Sequence, residues 1–195
     1  MSHALLRRFA ADQRGVSAVE FALLAPVMIL LFAAMVVFSQ AYMARKRVEH
    51  VAPMVADLVS QSATLTRSEV EGVLELGPEV MRPYPAGGLG MRVSSVTRTA
   101  TGYTVNWSVP YAGSNTGGLS SALPAARATQ IIPNDYLQAG ESVVVAESVY
   151  VYRPIFTRPG DAGGDLGFLP SNALTFAKQS ILRPRIADVV ACPTC

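Results

Sequence analysis

Cysteine is almost absent: the 195-residue chain has only Cys192 and Cys195, both in the closing ACPTC. A dense disulfide scaffold is thereby excluded, and so is a four-cysteine zinc site. Histidine is equally scarce, with His3 and His50 alone, which leaves little for a histidine-based triad or a metal centre. No phosphate-binding loop or Gly-Ser nucleophile elbow accompanies them. The glycines of PAGGLG at 85–90 lack the lysine and following serine of a phosphate loop and read as linker. Charge is low too, at 15% of residues. Its net value of +2 comes wholly from the first fifteen residues, where Arg7, Arg8 and Arg14 face Asp12; residues 16–195 balance 13 basic with 13 acidic side chains. That balance leaves no basic surface for nucleic acid.

Long apolar runs are missing everywhere but one place. From Phe21 to Phe38 the chain reads FALLAPVMILLFAAMVVF without a charge. At 1.5 Å per residue this covers about 27 Å, close to the hydrocarbon thickness of a bilayer. One transmembrane helix is expected, spanning about 21–44, with a domain on one side of the membrane. The run is too long for a secretory signal core, and SQAYMARKR is a poor cleavage exit. Arg45, Lys46 and Arg47 flank the far end, so charge bias alone leaves the orientation open.

Past the membrane the helix is expected to continue. Val48, Val51, Ala52, Val55, Leu58 and Val59 form one apolar stripe at helical spacing. Pro53, within it, predicts a kink or a short break. In TRSEVEGVLELGP, Thr66 and Glu69 have the spacing of a capping box, and Gly77-Pro78 is read as the stop. The period then changes to two: Tyr103, Val105, Trp107 and Val109 alternate with polar residues, and MRVSSVTRTA is their hairpin partner across Thr101-Gly102. SVVVAESVYVYRPIF is the strongest strand, and a last extended segment lies around Leu174 to Val190, where proline argues for an edge or a bend. The expected fold class is α+β: a long N-terminal helix at 16–62, then a domain at 63–195 with a short helix and a small, mainly antiparallel sheet.

Other polar groups invite weaker readings. Asp161 and Asp165 lie in a glycine-rich loop at 159–172 that offers oxygen donors but too few for a calcium site. Glu69, Glu71, Glu75 and Glu79 surround a short helix and read as a solvated face. For Cys192 and Cys195 three readings stay open: a local disulfide, a bridge to another subunit, or half of a zinc site. No metal, cofactor or catalytic residue is expected.

RGVSAVEFALLAP, from Arg14 to Pro26, gives the N-terminus its meaning. It resembles the processing region of type IV pilin-like proteins, in which a basic leader ends in glycine and the mature helix carries a glutamate at its fifth position. GVSAVEFALLAPVMILLF is similar, more narrowly, to the start of TadE-like pseudopilins of the tight-adherence (Tad/Flp) pilus system. The resemblance covers about residues 14–60, including VADLVS at 55–60, and is weaker over VVVAESVYVYRPIF. It implies a leader at 1–15 cleaved after Gly15 by a prepilin peptidase, with Val16 as the new first residue and Glu20 and Phe21 in the recognised region. It also implies a pilin-like helical spine, in which Glu20 and Pro26 serve assembly. The implied partners are the peptidase, other Tad pilins or pseudopilins, the assembly platform and the membrane. The implied location is the bacterial inner membrane, single-pass, with a periplasmic C-terminal domain that can enter the extracellular pilus. The implied function is that of a minor pilin or pseudopilin in pilus assembly, priming or capping, and so in adhesion. A carboxylate inside an apolar helix has its own physical reason to be partnered, although Glu20 lies one turn in and can stay hydrated among headgroups. The competing class is an uncleaved, membrane-anchored periplasmic adaptor or adhesin.

Overall fold

A computed structural model of the chain describes residues 16–113, 117–133, 136–154 and 173–195. Two compact units divide it, Met1–Gln40 and Ala41–Cys195. Helix α1, Val16–Ser60, runs through the division. Within the first unit, the described residues are all helical.

In the second unit, α1 is built to lie on a sheet. Ala44, Val48, Val51, Ala52, Val55, Ala56 and Val59 are all buried, and their small or β-branched side chains let the helix backbone approach closely. Valine is a mediocre helix former, but burying one contributes about 1.5–3 kcal/mol against propensity costs of only a few tenths. The expected stripe is therefore largely present, with one exchange: Leu58 is 36% exposed, while Ala56 is fully buried. The expected break at Pro53 is absent. Helix α1 is continuous through Pro26 and Pro53, because Val51, Ala52, Val55 and Ala56 fix the turns on either side of Pro53 against the core.

Helix α2, Arg67–Leu74, begins as its sequence requires. The Thr66 side chain accepts from the Glu69 N–H, and the Glu69 carboxylate accepts from the Thr66 N–H at 2.7 Å. Gly77-Pro78 does not stop the run. The break falls at Glu75, and Gly77-Pro78 opens a further helix, α3, Leu76–Met81. Proline in a first helical turn lacks only an N–H that would have no intrahelical partner. A Cβ at Gly77 would meet the end of the Met91 side chain, which would have to shift to admit it. A single tight turn at Ala86–Gly88 then leads into the sheet.

Strands β1 (Leu89–Thr99), β2 (Gly102–Pro110), β3 (Ser142–Tyr152) and β4 (Leu174–Leu182) form one antiparallel sheet in the order β2-β1-β3-β4. The β1–β2 hairpin and the edge position of β4 agree with expectation. Helix α4, Ala125–Ile131, lies between β2 and β3 in sequence. Alternation along the strands serves two cores. On one face Met91, Val93, Val144, Ala146 and Tyr150 pack with α1, α2 and α3. On the other, Val96, Val143 and Val145 pack with Ala128 and Ile132.

Strand β2 takes part in both cores because of a bulge. Ser95 pairs with Trp107 and Val96 with Val105, so Asn106 is the extra residue. Tyr103 and Val105, before it, join the α4 side; Trp107 and Val109, after it, join the α1 side. The simple alternation read from sequence thus changes face midway.

The segment after β4 returns to the end of α1 and the start of α2. Arg185 donates its N–H to Ser60 O at 2.9 Å and its guanidinium pairs with Asp57. Ala191 exchanges backbone hydrogen bonds with Ala63 and Leu65, and Trp107 Nε1 donates to Val190 O at 2.8 Å. Cys192 and Cys195 are joined to each other, with Cα atoms 5.4 Å apart. Within that ring Thr194 Oγ1 accepts the Arg67 N–H at 2.8 Å, capping the first turn of α2.

Candidate membrane and assembly helix

The chemistry-bearing stretch of α1 is defined by exposure. Phe21, Leu23, Met28, Ile29, Phe32, Met35 and Phe38 are each more than 60% exposed. They spread over more of the helix surface than a single stripe would cover, and the side they leave carries the buried Val37. An all-round apolar helix has no stable place in water and belongs in lipid or among other apolar helices. Among the described residues, one helix is long and apolar enough to cross a membrane. That is consistent with a single membrane span or a signal.

Glu20 and Pro26 are exposed on this stretch, and Glu20 is its sole charged residue up to Arg45. Glu20 follows Val16 by four residues, which places the two on the same helix face one turn apart. Val16 is the first described residue. Gly15 and the rest of the proposed leader lie outside the described residues, as does the 159–172 loop with Asp161 and Asp165.

Beyond the apolar stretch α1 carries a charged collar. Arg45 Nε donates to Glu49 Oε1 at 2.9 Å, and Lys46 Nζ donates to Glu49 Oε2 at 3.0 Å. Arg47 Nη1 donates to Val80 O at 2.9 Å, and Ser148 Oγ donates to Val48 O at 3.2 Å, tying α1 to α3 and to β3. His50 is exposed on the same helix. The acidic residues of α2 and α3 do not converge on a site. Glu71 pairs with Arg67 and Glu79 with Arg82, while Glu69 serves the cap. Among the described residues no group of three or more His, Cys, Asp or Glu side chains is placed to hold a metal.

One charged cluster escaped the sequence reading. Arg92 on β1 and Glu147 on β3 form a buried ion pair, with 1% and 5% of their side chains exposed. Arg92 Nη1 also donates to Ser121 O at 2.9 Å, and Arg127 of α4 donates to the other Glu147 oxygen at 3.1 Å. The available signal was a lone charge inside each of two apolar runs, GMRVSSV and VVVAESVYV. Only the pairing of β1 with β3, which sets Arg92 opposite Glu147, brings them together.

No curated protein and no solved structure matches the chain. A family does: the TadE-like proteins match residues 15–57, under a quarter of its length. The matched segment takes in the proposed processing point, the exposed apolar stretch, the collar and most of the stripe laid on the sheet. This family suggests a Tad pilus-associated, pilin-like protein of a generally non-enzymatic kind, and it implies components of the Tad system as partners. What the comparison shows is therefore a TadE-like segment at residues 15–57 of the chain.

Proposed function

We propose that the chain is a minor pilin or pseudopilin of a Tad (Flp) pilus. It is made with a basic leader, residues 1–15, that a prepilin peptidase removes after Gly15. The mature protein is held by α1 in the bacterial inner membrane, with its sheet domain in the periplasm, and it joins, primes or caps the pilus that serves adhesion. The observation that carries this reading is the stretch from Phe21 to Phe38, apolar throughout and exposed over most of its surface, with Val37 alone buried. Such a helix is suited first to lipid and then to packing among the helices of a fibre. The bond between Cys192 and Cys195 suits an oxidising compartment such as the periplasm.

Glu20 acquires a partner in this reading. Cleavage after Gly15 releases an α-amino group on Val16, one helical turn from the Glu20 carboxylate, on the same or a neighbouring subunit. An acid and an amine that neutralise each other lower the cost of carrying either through hydrocarbon.

Two measurements test the proposal. Sequencing the N-terminus of native membrane protein should give Val16, and Gly15→Trp should leave the precursor uncut; a predominant uncut wild-type chain would instead support an anchored adaptor or adhesin. Glu20→Gln should insert and be cleaved yet fail to recover partner pilins or support surface piliation. Normal piliation by the cleaved variant would rule out the pairing, and loss of cleavage alone would move Glu20 to peptidase recognition.

A further inference from the structure

The collar of α1 borders a groove that neither the fold nor the assembly role uses. Arg45, Val48 and Glu49 of α1 and Thr175, Phe176 and Ala177 of the edge strand β4 line a space of about 260 Å³ within the second unit. Its wall is mixed, with an apolar side at Phe176 and Ala177 and a polar rim at Arg45 and Thr175. Arg45 is 61% exposed, and Lys46 beside it is 48% exposed.

We infer that this groove binds the phosphodiester of a membrane phospholipid, anionic lipids above neutral ones, at the point where α1 leaves the bilayer. The inference rests on the membrane-spanning reading of α1. The first support is position. Arg45 follows Phe38 by seven residues, about 10 Å along a helix, while the headgroup layer beyond the hydrocarbon is roughly 5–8 Å deep on each side. The groove rim therefore lies about 2–5 Å beyond that layer, a gap that an arginine side chain reaching back toward the membrane spans. The second is charge. Arg45, Lys46 and Arg47 against Glu49 leave a local sum of +2, which favours an anion and disfavours an ammonium group on its own.

The third support is donor capacity. Arg45 gives its Nε–H to Glu49, but a guanidinium has five N–H donors, so the outer ones remain suited to two phosphate oxygens in the forked geometry arginine favours. Thr175, exposed on the opposite wall, adds a hydroxyl donor. Glu49 then holds Arg45 in place without filling its donor set. Phe176, half-buried, and Ala177, exposed, offer apolar contact to the glycerol carbons. Tyr42, 51% exposed with Lys46 Nζ 5.6 Å from its ring centre, sits one turn nearer the membrane, where amphipathic aromatics favour the interface.

The full chain in detergent, presented with phosphatidylglycerol and with diacylglycerol of the same acyl chains, tests the site by native mass spectrometry. Phosphatidylglycerol should be retained and diacylglycerol lost. Arg45→Gln should weaken retention about tenfold, the scale of one charge-assisted hydrogen bond. Thr175→Val should weaken it less, Arg45→Lys should restore part of it, and His50→Gln, outside the groove, should change nothing. Equal retention by wild type and Arg45→Gln would overturn the site, as would complete displacement of the lipid by inorganic phosphate, which would mark a free-anion site. Alkaline carbonate washing separates the two levels of failure. If washing releases the wild-type chain from membranes, the spanning helix fails and the lipid site with it; firm retention with headgroup-indifferent binding removes the lipid site alone.

Discussion

Arg92 and Glu147 carry the highest stakes of any single residues in the sheet domain. Burying both charges costs much of what their attraction returns, so their net contribution is small while either one alone is a liability. Arg92→Met or Glu147→Leu singly should cost about 3–5 kcal/mol, and the double substitution far less. Arg127→Ala, at a half-exposed partner, should cost about 0–1 kcal/mol. A double-mutant cycle by urea unfolding of the detergent-solubilised chain checks all three. Two carboxylates elsewhere make stability depend on acid. The Gln138 N–H, aided by Arg183, holds the Glu141 carboxyl below its usual range, and the Thr66 N–H and hydroxyl do the same for Glu69. A carboxyl with a depressed folded pKa contributes stability above its unfolded value, about 4.3, and that contribution is lost as pH falls through the lower folded value. Melting temperatures of wild type should therefore fall more steeply below about pH 4.3 than those of Glu69→Gln/Glu141→Gln. Parallel curves would show that neither carboxyl matters. Leu58 and Ala56 mark how far residue burial was legible. Periodicity found the stripe's centre, but at its edges the sheet decides which side is covered, and helical spacing alone carries no record of that.

Among the elements, those governed by local chemistry were legible and those governed by distant contacts were not. The Thr66–Glu69 cap is written within four residues, and it forms. Thr66→Ala should cost about 1 kcal/mol, read by urea unfolding. The hairpin from β1 to β2 was likewise visible, since its turn and its alternation are both local. Gly77-Pro78 misled because the same dipeptide that ends a helix can open one, and here it lies in the first turn of α3, with Gly77 against Met91. The returning segment after β4 had no sequence signal. Arg185 and Asp57 are far apart in the chain, as are Trp107 and Val190. Trp107→Phe keeps most of the apolar volume but removes the donor to Val190 O, at a cost of about 0.5–1.5 kcal/mol. Hydrogen exchange should then quicken at Leu65 and Ala191, whose N–H groups bond across this junction, while Val93 and Val145 keep their protection. Uniformly faster exchange would mean that the segment is not held separately from the sheet.

At the scale of the molecule, the α+β class and the long helix laid on an antiparallel sheet followed from the change from helical to period-two spacing along the chain, whereas the strand order did not. Nothing in LGMRVSSVTRT indicates that β1 pairs with both β2 and β3, so the opposition of Arg92 and Glu147 stayed hidden. The candidate helix was legible because its signal is linear, an apolar run that follows a single acid. The lipid-facing groove joins α1 to β4 across most of the chain and required the fold.

The bulge at Asn106 bears on how the sheet domain comes apart. Because β2 gives its first half to the core under α4 and its second half to the core under α1, neither core holds a complete set of strands of its own. Loosening one withdraws the backbone pairing that aligns side chains in the other. Heat should accordingly remove both together, as one calorimetric transition whose measured and van't Hoff enthalpies agree, despite the presence of two separate apolar clusters. A substitution at Val143, on the α4 side, should lower the melting of Trp107 fluorescence on the α1 side by the same number of degrees as the domain's circular dichroism. The extra residue adds β2 to β1 and β3 as strands that both cores share.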